Sequence, residues 1–275
     1  MDPFAMEIRI MAKPSRLMIY RDLVRLFFVF SFFFLPDITE KLFGVDVELE
    51  NEYVVLGAIA LLGTFWCGWF CPFGNVQYFA GIIGKMCFPR LQLAVPGRYD
   101  RPLRWLKYGF LVMFLYVFAT QEHGYFDSHM AMYKSTWYAH AYLLLKKPYA
   151  IMLIPLFIPR FFCKYLCYQK AGYQIINACF PLLRIRRRRE SCITCSKCTG
   201  ACPMDIDIAR ADRISGGECV GCLRCVDDSG CPTDPSSLRL TWFGREVTPL
   251  KWTVVMTGVY VAATLLAVVG FRSIH

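Results

Sequence analysis

The amino-acid sequence predicts an all-α membrane protein of about five transmembrane helices, with a small cysteine-rich domain inserted before the last helix. Two observations lead to this fold class. Apolar residues make up 56% of the 275 residues, and 23 residues are phenylalanine. Several apolar windows also approach the roughly 20 residues that a helix needs to cross a bilayer. Because many basic residues lie beside these windows, the formal charge of +10 is interpreted as a set of topology signals.

The first two predicted spans form a helical hairpin. Residues 17–36 follow a basic stretch and are predicted to enter the membrane from the cytoplasm. Residues 37–52 are rich in acidic residues, with Lys41 as their one basic residue, which is typical of a loop on the outer side. Residues 53–73 are predicted to return inward, because the loop that follows them is basic.

A second predicted hairpin consists of residues 102–120 and 149–166, separated by an outer segment. Pro155 and Pro159 lie in the fourth span, so this helix is expected to be kinked. Residues 247–271 form the fifth predicted span, which leaves the carboxyl terminus outside.

The predicted spans divide the chain into three parts. Residues 1–183 form a four-span membrane domain, residues 184–246 a small cytoplasmic domain, and residues 247–275 a carboxyl-terminal transmembrane helix. The expected location is the cytoplasmic (inner) membrane, which the chain crosses several times in contact with lipid. The cysteine-rich domain is expected on the cytoplasmic side.

Eight cysteines between residues 192 and 231 form two similar groups. The first group has the C-x2-C-x2-C-x3-C-P spacing of bacterial ferredoxins, and the second repeats it with two more residues before its last cysteine. In two-cluster ferredoxins the fourth cysteine of each group binds the other cluster. One predicted 4Fe–4S cluster is therefore bound by Cys192, Cys195, Cys198 and Cys231, and a second by Cys202, Cys219, Cys222 and Cys225. The alternative is a pair of zinc knuckles, but zinc sites do not require cysteine triplets that are each followed by Cys-Pro.

A shorter motif, C-x3-C, occurs at Cys67 and Cys71 and again at Cys163 and Cys167, at the ends of the second and fourth predicted spans. Cysteines at i and i+4 share one helix face. If the two hairpins are related by an axis along the membrane normal, the four thiolates are expected to meet at the cytoplasmic membrane surface. They could then bind an additional iron–sulfur cluster or another thiophilic metal, or form disulfides. The alternative is that they are small buried core residues.

Other conspicuous residues have structural interpretations. Cys87 and Cys179, which begin two Cys-Phe-Pro sequences, are interpreted as packing residues. The basic run at residues 184–189 could indicate nucleic-acid binding, but lipid headgroup contact and topology explain a run at this place. No nucleic-acid partner is therefore predicted. The tryptophans interpreted as interfacial anchors are Trp66, Trp69, Trp105, Trp137 and Trp252.

Together these motifs resemble the NapH/NosR-type membrane ferredoxins. The most similar stretch begins Cys67-Gly-Trp-Phe-Cys71-Pro72 and ends at Gln77, and the resemblance covers about residues 53–232. It implies that the chain passes electrons between the quinone pool and periplasmic reductases, alongside partner redox subunits of a respiratory complex.

The sequence departs from the family pattern in three places. Tyr168 stands where a proline is expected after the second C-x3-C motif. The large periplasmic flavin-binding region of NosR is expected to be absent, so the shorter NapH-like form is the closer match. The fifth predicted span exceeds the four spans of the NapH pattern.

The expected function is that of an electron-transfer subunit rather than a stand-alone catalyst. Iron–sulfur clusters can relay single electrons between a soluble carrier and the membrane. A quinone is an expected ligand, with His123, Asp127 and His129 of the outer segment as candidate binding residues. The first alternative is a biogenesis factor that reduces a metal or thiol during assembly of another metalloenzyme. The second is a structural anchor whose clusters do not change redox state.

Overall fold

The computed structural model describes residues 15–43, 57–59, 61–93, 95–120, 154–179, 183–211, 213–214, 218–227, 230–233 and 237–272. The α-helices in these ranges are α1 (Arg16–Phe43), α2 (Phe65–Trp69), α3 (Pro72–Cys87), α4 (Gly97–Thr120), α5 (Phe161–Tyr165), α6 (Tyr168–Cys179), α7 (Lys197–Gly200) and α8 (Pro249–Arg272). The strands are β1 (Leu183–Arg187), β2 (Arg213–Ile214), β3 (Leu238–Trp242) and β4 (Arg245–Glu246).

The chain divides into two compact units. The first comprises Met1–Asn75 and Tyr173–His275, and the second comprises Val76–Gly172. The two boundaries fall at matching places, near the amino-terminal ends of α3 and α6.

Aromatic side chains form the core of the first unit. Phe70, which follows α2, stacks on Tyr260 of α8 with ring centroids 4.6 Å apart, and Phe28 of α1 lies 4.9 Å from Phe70. The indole N–H of Trp66 donates a hydrogen bond of 3.3 Å to the Tyr260 hydroxyl. Since burying one large apolar side chain contributes about 1.5–3 kcal/mol, this cluster explains why α1, α2 and α8 pack together.

The interpretation of the tryptophans as interfacial anchors is wrong for three of them. Trp66, Trp69 and Trp252 are only 1%, 0% and 6% exposed, so they belong to the core of the first unit. Trp105 on α4 is 70% exposed, as an anchor must be, and Trp137 lies outside the described residues.

A four-stranded antiparallel sheet with the order β2-β1-β3-β4 also lies in the first unit. Its strand β1 consists of the basic run, in which buried Ile185 faces Leu240 of β3 and alternates with arginines. Such alternation is the period of a half-buried strand. Just beyond β1, Arg188 forms an ion pair of 2.8 Å with Glu246 of β4. The all-α prediction is therefore wrong in this domain, where the basic run forms a paired strand. Its contact with lipid headgroups stays a prediction.

Residues 249–266, at the start of α8, are long and apolar enough to cross a membrane, with a mean hydropathy of 1.3. No other helix in the described parts of the chain meets the same test of length and composition. Helix α8 coincides with the predicted fifth span, residues 247–271. The prediction of five spans in all stays a prediction.

Two of the predicted spans are interrupted. Residues 53–73 were predicted to form one helix, but the chain turns at Gly63, where φ is +62°, before α2 begins. Residues 149–166 turn in the same way at Arg160, where φ is 55°, before α5. Because an α-helix requires φ near −63°, neither helix can continue through its turn. The expected kink in the fourth span is thus a break directly after Pro159.

In the second unit, α3 approaches the backbone of residues 154–159 closely. A Cβ atom on Gly84 would lie only 1.8 Å from the carbonyl oxygen of Leu156. Only glycine is therefore compatible with this contact.

A carboxylate joins α4 to α5 in the second unit. Asp100 accepts hydrogen bonds of 2.6 Å from the Tyr165 hydroxyl and 2.7 Å from the Arg104 guanidinium. Burial by itself would raise the pKa of Asp100. The two hydrogen bonds, together with the charges of Arg104 and Lys164, nevertheless hold that pKa below its ordinary value.

Candidate functional site

The first set of predicted ligands surrounds a cavity. Cys192, Cys195, Cys198 and Cys231 all line it. Cys231 is buried and Cys195 is exposed. Burial raises the pKa of the Cys198 thiol, and the charges of Cys231 and Cys195 raise it further. Cys231 thus lies beside the cysteines of the first triplet, an arrangement that a crossed pair of ferredoxin motifs requires.

The second set, Cys202, Cys219, Cys222 and Cys225, is more deeply buried. Cys222 is 8% exposed and Cys225 is 6% exposed. Burial raises the pKa of the Cys225 thiol well above its ordinary value, and the charges of Cys222, Cys219, Cys202 and Cys198 add to this effect. Burial and the charge of Cys222 raise the pKa of Cys202 to about 11. The charges that act on Cys225 thus belong to three members of its own set and to Cys198 of the first set.

The backbone has the same unusual conformation on both sides of the middle cysteine in each triplet. In the first triplet Thr194 and Ser196 have φ of 50° and 58°, and in the second Gly221 and Leu223 have φ of 63° and 58°. A non-glycine residue with positive φ costs about 1 kcal/mol or more. Left-handed residues in a turn can direct successive N–H groups inward, toward an anionic centre. The matched conformations therefore indicate two loops that are shaped for the same kind of group.

The choice between a 4Fe–4S cluster and a zinc ion at these loops stays a prediction, but one feature suits a cluster. Hydrogen-bond donors reach the sulfurs: the Gly221 N–H donates to Cys219 Sγ at 3.3 Å, and the Thr233 hydroxyl lies 3.2 Å from Cys231 Sγ. Hydrogen bonds of this kind tune the reduction potential of a cluster.

The second cysteine loop is bound directly to α2 and the residue that precedes it. The Thr64 hydroxyl donates a hydrogen bond of 2.6 Å to the carbonyl oxygen of Cys219. The indole N–H of Trp69 donates one of 3.0 Å to the carbonyl oxygen of Gly221. The loop that carries three predicted cluster ligands is thus joined to the segment that carries the first C-x3-C motif.

Two glycines permit this close contact. A Cβ atom on Gly68 would lie 2.2 Å from the carbonyl oxygen of Val220, and one on Gly221 would lie 2.8 Å from the Cα of Phe65. The backbone of α2 therefore packs directly against the backbone of the second cysteine loop, with no side chain between them.

Two buried arginines of α1 bind the same two segments. Arg21 donates through Nη1 to the carbonyl oxygen of Cys222 at 3.4 Å, and Arg25 donates through Nε to the carbonyl oxygen of Gly68 at 2.8 Å. The sequence analysis missed both residues. The sequence did contain a signal, since two arginines lie one helical turn apart in an apolar window. Buried charges need specific partners, so such a pair predicts specific contacts inside the protein.

The two C-x3-C motifs have a common local structure. Cys67 lies in α2 and Cys71 between α2 and α3, whereas Cys163 lies in α5 and Cys167 between α5 and α6. Both short helices therefore end between the two cysteines. The expectation that each pair shares one face of a continuous helix is wrong. The proposed meeting of all four thiols stays a prediction.

Matching hydrogen bonds shape the two motifs. The carbonyl oxygen of Trp66 accepts the N–H groups of both Phe70 and Cys71, and the carbonyl oxygen of Phe162 accepts those of both Leu166 and Cys167. In the second unit Gln77 donates to Cys163 Sγ at 3.5 Å and accepts from the Phe162 N–H at 3.1 Å. The sequence repeat thus corresponds to a structural repeat.

Two further predictions concern residues away from these sites. Cys87 and Cys179 are exposed, so their interpretation as packing residues is wrong. The candidate quinone residues His123, Asp127 and His129 lie outside the described residues.

Comparison with known proteins identifies a family match over both C-x3-C motifs. A family described as a 4Fe-4S binding domain matches residues 53–86 and 148–190, and each matched segment contains one C-x3-C motif. YccM of Escherichia coli, named as a candidate electron transport protein, is 30% identical over 224 residues, which is 77% of this chain and 61% of YccM. No solved structure matches the chain.

Two other relatives are longer proteins. The protein NirI of Paracoccus denitrificans is 32% identical over 66% of this chain and 28% of its own length. The regulatory protein NosR of Pseudomonas aeruginosa is 28% identical over 70% of this chain and 28% of its own length. The chain thus spans less than two thirds of the length of YccM and under a third of NirI and NosR.

Proposed function

Because this chain belongs to the membrane-associated, ferredoxin-type electron transport proteins of the NapH/NosR type, we propose that it relays single electrons between the quinone pool or a membrane redox partner and a soluble or periplasmic reductase. Its partners in this role would be the redox subunits of a respiratory complex. The observation that carries the proposal is the backbone contact between the second cysteine loop and α2.

We assign one 4Fe–4S cluster to Cys192, Cys195, Cys198 and Cys231, and a second to Cys202, Cys219, Cys222 and Cys225. When bound, each cluster takes up and releases one electron with little rearrangement. The protein shapes the two sites through left-handed loop residues and places N–H and hydroxyl groups beside the sulfurs. It also excludes water from Cys222 and Cys225 by burying them.

The exposure of the two sets suggests an order for the relay. Cys195 is exposed, so the first cluster would exchange electrons with a soluble partner. The second cluster is buried against α2, and it would connect the first cluster to the membrane-embedded part of the pathway. Electrons would pass through the clusters in this order or in the reverse order.

A multi-pass arrangement in the inner membrane is part of the proposal, with the cluster domain in the cytoplasm and the carboxyl terminus outside. Helix α8 has the length and composition of a span. Outward-facing apolar side chains on α1 and α4 support lipid contact for these helices too. They include Leu23, Phe27, Phe30, Val112 and Tyr116, each at least half exposed.

Proteoliposomes that contain menaquinone would test the relay. The clusters are reduced with dithionite, excess reductant is removed, and reoxidation by the quinone is followed by electron paramagnetic resonance (EPR). In the native protein we expect both clusters to be reoxidised. In Cys222→Ala we expect the first cluster to remain reduced, because the link to the membrane is lost, whereas Cys87→Ala should behave like the native protein.

Reoxidation of the first cluster at the native rate in Cys222→Ala would contradict the proposed order. Failure of the quinone to reoxidise either cluster in the native protein would contradict the quinone relay. If Cys222→Ala assembles neither cluster, Gly68→Ala provides the same test, since it keeps all eight assigned ligands and displaces the second cysteine loop from α2.

A further inference from the structure

Arg21 and Arg25 carry two full charges into the interior of the first unit. They are 1% and 0% exposed, and each guanidinium donates to a backbone carbonyl rather than to solvent. Burying a charge costs several kcal/mol unless partners compensate it, and a non-ionisable side chain could fill the same space. The position of the charges therefore calls for a functional explanation.

One of these charges lies directly beside a predicted cluster ligand. Arg21 Nη1 is 3.4 Å from the carbonyl oxygen of Cys222, and Cys222 is itself 8% exposed. Arg25 instead contacts Gly68 in α2. The two residues differ in role: Arg21 acts on the cluster loop, and Arg25 positions the segment against which this loop packs.

One carboxylate that contacts both arginines is Asp22, and another, Asp227, lies in the same cysteine loop as Cys222. Asp22 lies 2.8 Å from Arg21 and 3.4 Å from Arg25, but its side chain is 36% exposed. Asp227, in the loop after Cys225, accepts a hydrogen bond from the Ser15 hydroxyl. Water screens the charge of a half-exposed carboxylate more than that of a buried guanidinium. Asp22 therefore only partly offsets the field of Arg21 at the cluster loop.

We propose that Arg21 raises the reduction potential of the cluster bound by Cys202, Cys219, Cys222 and Cys225. This inference rests on the proposed electron-transfer function. On reduction, the cluster gains one electron from the reductant and becomes more negative by one charge. The guanidinium beside Cys222 stabilises this added negative charge, and its hydrogen bond to the ligand's carbonyl oxygen withdraws electron density from the same loop.

Anaerobic redox titration with dithionite, followed by EPR, tests the inference on the full-length protein in lipid. We expect Arg21→Gln to lower the midpoint potential of one cluster and to leave the other unchanged. Arg21→Lys keeps the charge and should shift that potential less. Asp22→Asn removes a negative charge and should raise the same potential. Arg210→Gln is the matched control, because the Arg210 side chain is 90% exposed, and should shift neither potential.

The inference is overturned if Arg21→Gln leaves both potentials unchanged or lowers both equally. If Arg21→Gln fails to assemble the second cluster, Asp22→Asn decides, because Asp22 lies 2.8 Å from Arg21; an unchanged or lowered potential of the second cluster in Asp22→Asn then overturns the inference. If two clusters titrate in the native protein but the variants do not shift the potential as expected, only the role of Arg21 is contradicted. A native protein without clusters contradicts the proposed function itself.

Discussion

The indole N–H of Trp69 donates a hydrogen bond of 3.0 Å to the carbonyl oxygen of Gly221. This bond, together with that from Thr64 to the carbonyl oxygen of Cys219, joins the segment of the first C-x3-C motif to the second cluster loop. Trp69 is fully buried and stacks on Phe65 with ring centroids 4.8 Å apart. The cluster loop is therefore positioned by the core of the first unit.

Replacing Trp69 by phenylalanine should destabilise the first unit by about 2 kcal/mol, because it leaves the Gly221 carbonyl without this donor and opens a cavity. Thermal unfolding followed by circular dichroism measures the effect. Trp105→Phe is the matched control, since exposed positions usually change stability by no more than about 0.5 kcal/mol. Equal unfolding temperatures for the two variants would contradict the role of Trp69.

Gly68→Ala should displace the second cluster loop. The new Cβ would lie 2.2 Å from the carbonyl oxygen of Val220, and such overpacking costs about 1–3 kcal/mol. Gly109→Ala is the control, because a Cβ at Gly109 meets nothing within 4 Å and alanine favours the helix. Gly68→Ala should lower the unfolding temperature and change the EPR signal of the second cluster. Gly109→Ala should neither lower that temperature nor change that signal.

The ionised carboxylate of Asp100 should stabilise the second unit in a pH-dependent way. Since its folded-state pKa is lowered, this stability is present above the unfolded-state pKa of about 4 and is lost as the pH falls through the folded-state value. Tyr165→Phe should cost about 2 kcal/mol at pH 7, where the hydroxyl donates to a charged group. Urea unfolding at pH 7 and at about pH 3 measures the difference, which should shrink at the lower pH. A cost that is the same at both pH values would mean that the ionised carboxylate is not the partner that matters.

Iron should leave the native protein in two phases when a chelator is added under reducing conditions. The first set contains an exposed cysteine, Cys195, whereas the second contains two buried cysteines, Cys222 and Cys225. About four irons per chain, the content of one cubane, should therefore be released quickly and the remainder slowly. A single phase that releases all the iron would contradict the different burial of the two sites.

The sequence alone supported some of these conclusions because they depend on local spacing. The positions of Cys192 to Cys231 predicted two loops of one kind, and the apolar run at residues 247–271 predicted α8. The breaks at Gly63 and Arg160 could not be predicted in this way, since each depends on one left-handed residue in an otherwise apolar window. The sheet was missed because alternating Leu-Arg-Ile-Arg was interpreted as a charge run.

The contacts that position the second cluster loop were also beyond sequence analysis. Arg21 and Cys222 are far apart in the chain, as are Trp69 and Gly221, and no periodicity connects them. Only the tertiary fold brings these pairs together. The same limit applies to the C-x3-C motifs. Their repetition is visible in the sequence, but it does not reveal that a helix ends between the two cysteines of each motif.

The most direct test of the account is the amount of iron and acid-labile sulfide per chain in the anaerobically purified protein. We predict at least about eight of each, four for each of two cubanes, with one-electron reduction of both clusters by dithionite. Iron beyond this number that disappears in a Cys67→Ala/Cys163→Ala variant would belong to an additional centre at the C-x3-C motifs. A folded, active protein that contains no iron would contradict the account.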